Sequence, residues 1–422
     1  MRAHSRKIGA SIILNALEWY EFSLYVHFTP LFAMLFFPEL DFIDSLTQTF
    51  MIFAVGFLSR PLGGIFFGHI GDRLGRRVAL LMSLTLMAIP TFMIGLLPTY
   101  AVIGVAAPLL LLLMRFLQGF PTGGEFPGAI CYLIEMAPPN QRGFYGSFSF
   151  FGSQVGSILS SLEFLVIKLF MSPESFASWG WRLSFLVGGL LGLSGWYLRK
   201  RLAETPAFEE IKEKHHLVGK PLFESLHTHR KALLKAFLLS ILPLSGWYLI
   251  FVFTPLYFSQ ILEMSFHSAM LTNVGFLIFS NILMPIVGRL GDRYDMRKLL
   301  LISALGTLIL AFPFYTFAIQ YSLVLALFFH ILLILFISAQ FALLPAIICT
   351  LFPTSVRFTC VAMSYNMCNA LFGGVTPLLA FSLIQKTQAL IAPAFVLMGV
   401  ALIGLISQYY ITLGRKKDST PI

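Results

Sequence analysis

Twelve stretches of the chain are long apolar runs with few polar interruptions, separated by shorter polar segments. They fall at about 8–37, 46–70, 78–98, 101–135, 143–170 and 181–199, then at 234–262, 267–289, 298–318, 321–349, 358–385 and 389–413. A helix needs about 20 mostly apolar residues to cross a bilayer. Hydrocarbon offers no water to backbone N–H and C=O groups, so each run is expected to be helical. The pattern predicts an all-α membrane protein with twelve transmembrane helices. The runs ending at 135 and 349 are long enough to tilt, bend or protrude. The start, Met1 to Lys7, is basic like that of a signal peptide. The apolar stretch after it outruns the usual ~7–15 residues and lacks a small-x-small cleavage site, so it is expected to stay as the first membrane helix.

Composition agrees with lipid as the solvent. Apolar residues make up 57% of the chain and charged ones 11%, against about 25% charged in soluble domains. So few charges could not cover a soluble fold, which excludes a disordered chain, a collagen-like one and almost any cytosolic enzyme. The net charge is +10, from 29 bases and 19 acids. Both termini, the connections after even-numbered spans and the central loop hold 24 of the 29 bases. Lys168, Arg182 and Lys386 lie toward the other side, and Arg60 and Arg115 lie within spans. By the positive-inside rule both termini and the central loop are cytoplasmic. The basic balance is a topology signal, and nucleic acid drops out as a partner. Cys131, Cys349, Cys360 and Cys368 sit in apolar runs without metal spacing and read as buried free thiols. No metal site and no cofactor is expected.

The chain repeats itself. Gly68-x3-Asp72-Arg73-x-Gly75-Arg76-Arg77 follows the second span, and Gly288-x3-Asp292-Arg293-x-Asp295-x-Arg297-Lys298 follows the eighth. Pro138-x3-Arg142 follows the fourth span and Pro353-x3-Arg357 the tenth. Two parallel halves account for these offsets, with an N-terminal bundle over 1–199, a central loop over 200–233, a C-terminal bundle over 234–413 and a tail over 414–422. Parallel repeats of this kind indicate a transporter that rocks around a central site.

These motifs carry a resemblance. The Asp-Arg-x-Gly-Arg-Arg loop resembles the signature of the major facilitator superfamily. Further stretches resemble its metabolite:proton symporter family, which includes proline/betaine, α-ketoglutarate, citrate and shikimate carriers. They are Asn15-x-x-Glu18-Trp19-Tyr20-Glu21-Phe22, Arg60-Pro61-Leu62-Gly63-Gly64, Arg115-x-x-Gln118-Gly119-x3-Gly123-Gly124-Glu125 and Trp179-Gly180-Trp181-Arg182. Glu204-Thr205-Pro206-x-Phe208, Phe352-Pro353-Thr354-x-Val356-Arg357, Tyr365-Asn366 and Phe372-Gly373-Gly374 complete the ordered set, which covers almost the whole chain. The resemblance implies two pseudo-symmetric six-helix bundles, a small-molecule substrate, the proton as coupling ion, a bacterial cytoplasmic (inner) membrane location and a functional monomer.

Charges at bilayer depth are costly and face the bundle interior or a water-filled cavity. Glu18 and Glu21 are one turn apart on the first span, about 15–20 Å from its start at 1.5 Å per residue, near the midplane. Arg115 sits near the middle of the fourth. A carboxylate facing an arginine in low dielectric stays ionised until the arginine turns to an anionic substrate, after which it can take a proton. Glu21 is the first choice as proton carrier, with Arg115 as its partner or as the clamp on a substrate carboxylate. A permanently paired packing salt bridge is the open alternative. Where the resembled family usually has Asp, this chain has Glu21. Glu125 either completes the charge network or anchors backbone, and Arg60 either meets substrate or satisfies the carbonyl freed by Pro61. The resemblance places Glu135 beside the Asp72/Arg76 loop, and Asp72, Arg73, Arg76, Arg77, Glu135 and Arg142, with Gly68 and Gly75, are expected to form a latch biasing alternating access. The alternative is a solvated basic loop. The second loop, with Asp292, Arg293 and Arg297 but Asp295 for Gly and Met296 for Arg, is expected to latch more weakly. Glu163 has no expected role beyond lining a cavity.

Trp19, Tyr25, Trp247, Tyr248 and Tyr365 lie on spans 1, 7 and 11, which the resemblance implies line the central cavity. They could cage a quaternary ammonium or simply pack. Gln118, Gln340, Asn366 and Asn369 are uncharged candidates for substrate hydrogen bonds. His27 and His330 read as packed residues. No phosphate-cradling G-x4-G-K-[ST] and no His-Glu-x-x-His occurs, so an ATP-driven pump and a metalloenzyme are not expected. The first expectation is proton symport of a zwitterionic osmolyte such as proline or betaine. The second is proton symport of a mono- or dicarboxylate such as α-ketoglutarate, citrate or shikimate. A solute sensor without transport is the alternative class. The residues after Arg415 are too few for the C-terminal coiled coil of some osmosensing relatives, so osmotic gating by that device is not expected.

Overall fold

The computed structural model describes residues 2–200, 203–261, 264–320 and 323–414. Arg201 and the tail residues Arg415, Lys416 and Lys417, used above for topology, lie outside the described residues. Among those described, long helices follow one another in the predicted order. They are α1 (Arg2–Phe36), α2 (Phe42–Arg73), α3 (Arg76–Leu96), α4 (Ala106–Met136), α5 (Arg142–Phe170) and α6 (Trp181–Lys200). After two short helices, Pro206–Glu213 and Pro221–Thr228, comes α7, built of Arg230–Trp247, a π-turn at Tyr248–Phe253 and Thr254–Ile261. Then follow α8 (Phe266–Arg293), α9 (Met296–Gln320) and α10 (Leu323–Thr350). Helix α11 joins Arg357–Cys368 to Val375–Thr387 through a π-turn at Asn369–Gly373, and α12 is Ala392–Gly414. Among the described residues nine of these helices are long and apolar enough to cross a membrane by length and composition. The other long helices are α1, α4 and α6, and α1 and α4 carry Glu18, Glu21, Arg115 and Glu125.

The helices gather into two compact units. The first comprises Met1–Met136, Phe151–Ser225 and Pro353–Asn366, the second Ala137–Phe150, Leu226–Phe352 and Met367–Ile422. In the first unit α2 and α4 meet backbone to backbone. A Cβ added at Gly63 would stand 1.6 Å from the Phe120 carbonyl oxygen, and one at Gly123 would stand 2.0 Å from that of Arg60. Lipid supplies no hydrophobic force between helices, so their attraction comes from packing, and small residues allow the close approach. An aromatic column joins α1 to α6: Phe32 meets Trp181 edge-on at 5.2 Å and stacks on Phe185 at 5.6 Å. Such pairs contribute about 0.5–1.5 kcal/mol each beyond buried area.

In the second unit a buried amide ties three helices. Gln340 on α10 donates to the Leu300 carbonyl at 3.0 Å and to Ser303 Oγ at 2.7 Å on α9, and accepts from Gln408 Nε2 on α12 at 2.9 Å. The π-turns of α7 and α11 lie side by side, since a Cβ at Gly373 would stand 2.8 Å from Tyr248 Cε2. Single π-turns inside α-helices frequently mark functional places.

Candidate functional site

A hydrogen-bond relay in the first unit leads from Arg115 to Glu21. Arg115 Nη1 donates to Gln118 Oε1, three residues on along α4. Gln118 Nε2 donates to Thr91 Oγ1 on α3 at 2.8 Å, and Thr91 Oγ1 donates to Glu21 Oε2 at 2.8 Å. All four side chains are buried. The expected Glu21–Arg115 partnership thus runs through two neutral groups, of which Thr91 was not among the sequence candidates. Arg115 Nε and Nη2 are buried without a hydrogen-bond acceptor among the described residues. A buried cation with open donors is costly and suits an incoming anion.

The guanidinium groups of both intramembrane arginines lie over aromatic faces. Arg115 stands over Tyr25 at 4.3 Å, Phe22 at 4.8 Å and Phe53 at 5.1 Å. Arg60 stands over Phe57 at 4.4 Å, Phe22 at 4.5 Å and Trp19 at 5.7 Å. The faces of Trp19 and Tyr25, read from the sequence as either caging an ammonium or packing, here hold the protein's own cations. Phe22, shared by both arginines, was not a sequence candidate. Glu18 is buried one turn from Glu21, and Glu125 accepts from Ser83 Oγ at 2.5 Å. Glu163 accepts from the Tyr20 hydroxyl, joining α5 to α1.

The remaining neutral candidates divide. Asn366, in the first unit, donates to the Gly123 carbonyl at 2.7 Å and the Ala362 carbonyl at 2.8 Å, and Tyr365 lies 5.0 Å from the Phe126 ring. Gln340 is held by α9 and α12 as above. Tyr248 and Asn369 sit on the two π-turns of the second unit, with Trp247 just before one of them and 5.1 Å from Tyr248.

The loop residues form a dense cluster in the first unit. Arg76 Nε and Nη2 each reach one oxygen of Glu135 at 3.0 Å, and Nη1 lies 3.3 Å from Asp72 Oδ1. Arg76 also donates to the Gly71 and Thr354 carbonyls at 2.7 and 2.6 Å. Asp72 accepts from the Phe358 and Thr359 N–H groups at 3.1 and 2.8 Å, capping the start of α11. Gly68 permits that approach, because a Cβ there would stand 2.7 Å from Thr359 Cα. Arg357 Nη1 reaches Glu135 Oε1 at 2.8 Å, and Thr205 Oγ1 reaches Oε2 at 2.6 Å. Glu204 accepts from the N–H groups of Arg76 and Arg77 at 3.1 Å and caps α3. Gly75 has φ +115°, and a Cβ there would meet Glu204 Oε2 at 2.2 Å. Burial pushes the Glu204 carboxyl above the usual range, against its backbone N–H partners and the nearby Arg76 charge. Arg73 is exposed.

The second motif repeats the cap. Asp292 accepts from the Gly143 and Phe144 N–H groups at 2.7 and 2.9 Å, at the start of α5. These donors and Phe358 and Thr359 are the same places in the two repeats. Arg142, expected in the first latch, lies in the second unit, and its counterpart Arg357 takes that place beside Glu135. Arg293 is exposed, and the Arg297 N–H donates to Asp295 Oδ1 at 3.0 Å.

The family model described as Major Facilitator Superfamily matches residues 9–377. The chain is 36% identical over 417 residues to the proline/betaine transporter of Salmonella typhimurium, across 95% of this chain and 82% of that protein. It is also 36% identical, with the same coverage, to the glycine betaine/proline/ectoine/pipecolic acid transporter OusA of Dickeya dadantii. In fold it is similar to the proton:xylose symporter XylE of E. coli, with a TM-score of 0.79 at 18% identity, covering 97% of this chain and 95% of that one.

Proposed function

The chain belongs to the Major Facilitator Superfamily, a twelve-helix membrane transporter and not an enzyme, and from that premise we propose that it carries a small zwitterion of the proline or betaine type together with a proton. The observation that carries this reading is Arg115, buried with two N–H positions open and linked to Glu21 through Gln118 and Thr91. A substrate carboxylate docked on Nε and Nη2 competes with Glu21 for one positive charge. Glu21 then takes up a proton, and loaded carrier and proton move together by alternating access. Release of the carboxylate on the other side returns the charge to Glu21, which gives up its proton. The two bundles over 1–199 and 234–413 are the moving parts in this scheme. The inner membrane of a bacterium, with both termini cytoplasmic, is its setting.

A second reading draws on Phe22. Two guanidinium groups flank its ring, at 4.5 and 4.8 Å, and a pair of cations so placed suits a dicarboxylate such as α-ketoglutarate. Uptake into proteoliposomes under an imposed inward proton gradient separates the two. Accumulation of proline or betaine, but not of α-ketoglutarate, citrate or shikimate, supports the first reading; the reverse supports the second. Accumulation that follows a sodium gradient and ignores the proton gradient overturns proton coupling.

A further inference from the structure

Within the second unit a cavity of about 670 Å³ opens beside the α8–α9 turn. Its place has an exact meaning in the repeat. In the first half the corresponding place is filled by Glu135, held by Arg76, Arg357 and Thr205, while Glu204 caps α3. Under the repeat offsets Met296 stands for Arg76, Thr350 for Glu135 and Arg142 for Arg357. The second unit therefore keeps one arginine of this cluster and has no carboxylate at the Glu135 place, and Met296, Thr350 and Arg142 all line the cavity.

The walls have become basic. Arg142, His229, Lys231, Lys235 and Arg297 line the space. The acids beside them are committed to backbone: Asp292 to the Gly143 and Phe144 N–H groups, Asp295 to the Arg297 N–H. With His229 neutral, the lining carries two positive charges in excess of its acids. Arg142 Nε is buried with no hydrogen-bond acceptor among the described residues. Cations gathered from the starts of α5, α7 and α9 around this open cavity suit an oxyanion.

We propose that this cavity binds a phosphate-type oxyanion, whose oxygens stand where Glu135 stands in the first half. Arg142 and the two lysines of α7 are its main contacts. The anion links the starts of α5 and α7 to the α8–α9 turn, as Glu135 links Arg76, Arg357 and Thr205. The phosphate group comes either from a soluble anion or from an anionic phospholipid headgroup.

The full-length protein in phosphatidylcholine nanodiscs, titrated with inorganic pyrophosphate at constant ionic strength, tests this by its thermal unfolding. Matched nanodiscs containing phosphatidylglycerol, without pyrophosphate, form the second arm. A saturable rise in unfolding temperature with pyrophosphate assigns the site to a soluble anion. A rise only with phosphatidylglycerol assigns it to a headgroup. In either case the paired change Lys231→Gln and Lys235→Gln removes the rise; both lysines are exposed, so the fold should survive. Thr350→Glu, which restores the missing carboxylate, should also abolish the response while raising the starting unfolding temperature. No rise in either arm, or a rise of equal size in these variants, overturns the proposal.

Discussion

Arg76 and Glu135 meet as a two-point ion pair, both contacts at 3.0 Å and neither side chain exposed. Removing one member of a buried pair leaves the other charge stranded, at a cost of about 3–5 kcal/mol. Glu135→Gln should therefore lower the unfolding temperature sharply. The second repeat already carries the neutral combination, Met296 and Thr350. Arg76→Met combined with Glu135→Thr should recover most of the loss, because Arg357, 17% exposed, can turn to water. A double variant less stable than Glu135→Gln alone would contradict this account.

The two caps should differ in weight. Asp72 and Asp292 each accept two backbone N–H groups, but Asp72 is buried and pairs with Arg76 at 3.3 Å, whereas Asp292 is half-buried with Arg289 nearby. Loss of a helix cap costs about 0.5–2 kcal/mol. Asp72→Ala should exceed that range and Asp292→Ala should fall within it. Equal losses in chemical denaturation would show that the buried Arg76 pair adds no more than Arg289 does beside Asp292.

Coupling should depend on Thr91 as well as on Glu21. Thr91→Val removes the hydroxyl between Gln118 and the Glu21 carboxylate. A hydrogen bond to a charged group is worth about 1.5–3 kcal/mol, or roughly 10–100-fold in a rate or an equilibrium. Proton-driven accumulation should fall by such a factor while substrate exchange between the two sides persists. Glu21→Gln should abolish accumulation and spare exchange. Full accumulation by the Glu21→Gln variant would remove Glu21 from the proposed proton path.

Glu204 gives a pH signature. Burial raises its folded carboxyl above the usual value. Its contribution to stability is present below the ordinary carboxylate value of about 4.3 and is lost as pH rises through the raised one. The unfolding temperature of the native chain, relative to Glu204→Gln, should thus decline from about pH 4 toward neutrality. A difference that grows with pH would mean that the backbone N–H groups of α3, and not burial, dominate.

Span placement was legible because an apolar run of that length has few other uses, and the latch loop because its spacing is distinctive. Glu135 beside Arg76 followed from the resemblance. The choice of Arg357 over Arg142 did not, since the two stand at the same place in their repeats and only packing distinguishes them. Thr91 escaped notice because it meets Glu21 across 70 residues of sequence. A helix apolar on every side gives no sign of which face turns inward. Gln340 and Asn366 looked like substrate ligands for the same reason: a buried amide in the sequence does not disclose that neighbouring helices already engage it. The π-turns at Tyr248 and Asn369 leave no mark in the hydropathy pattern, although both residues were candidates on other grounds.

The cap that Asp72 provides has a consequence for how the protein is made. Its donor Phe358 lies 286 residues further along the chain. At about 5–20 residues per second, the ribosome needs roughly a quarter of a minute to a minute to deliver it. Throughout that interval the Asp72 carboxylate lacks its two backbone donors, Phe358 and Thr359, although Arg76 can already meet Glu135, 59 residues further along. The cap on Asp72 cannot form before residue 358 is made, so a nascent chain arrested before that point should keep Asp72 accessible from the aqueous side.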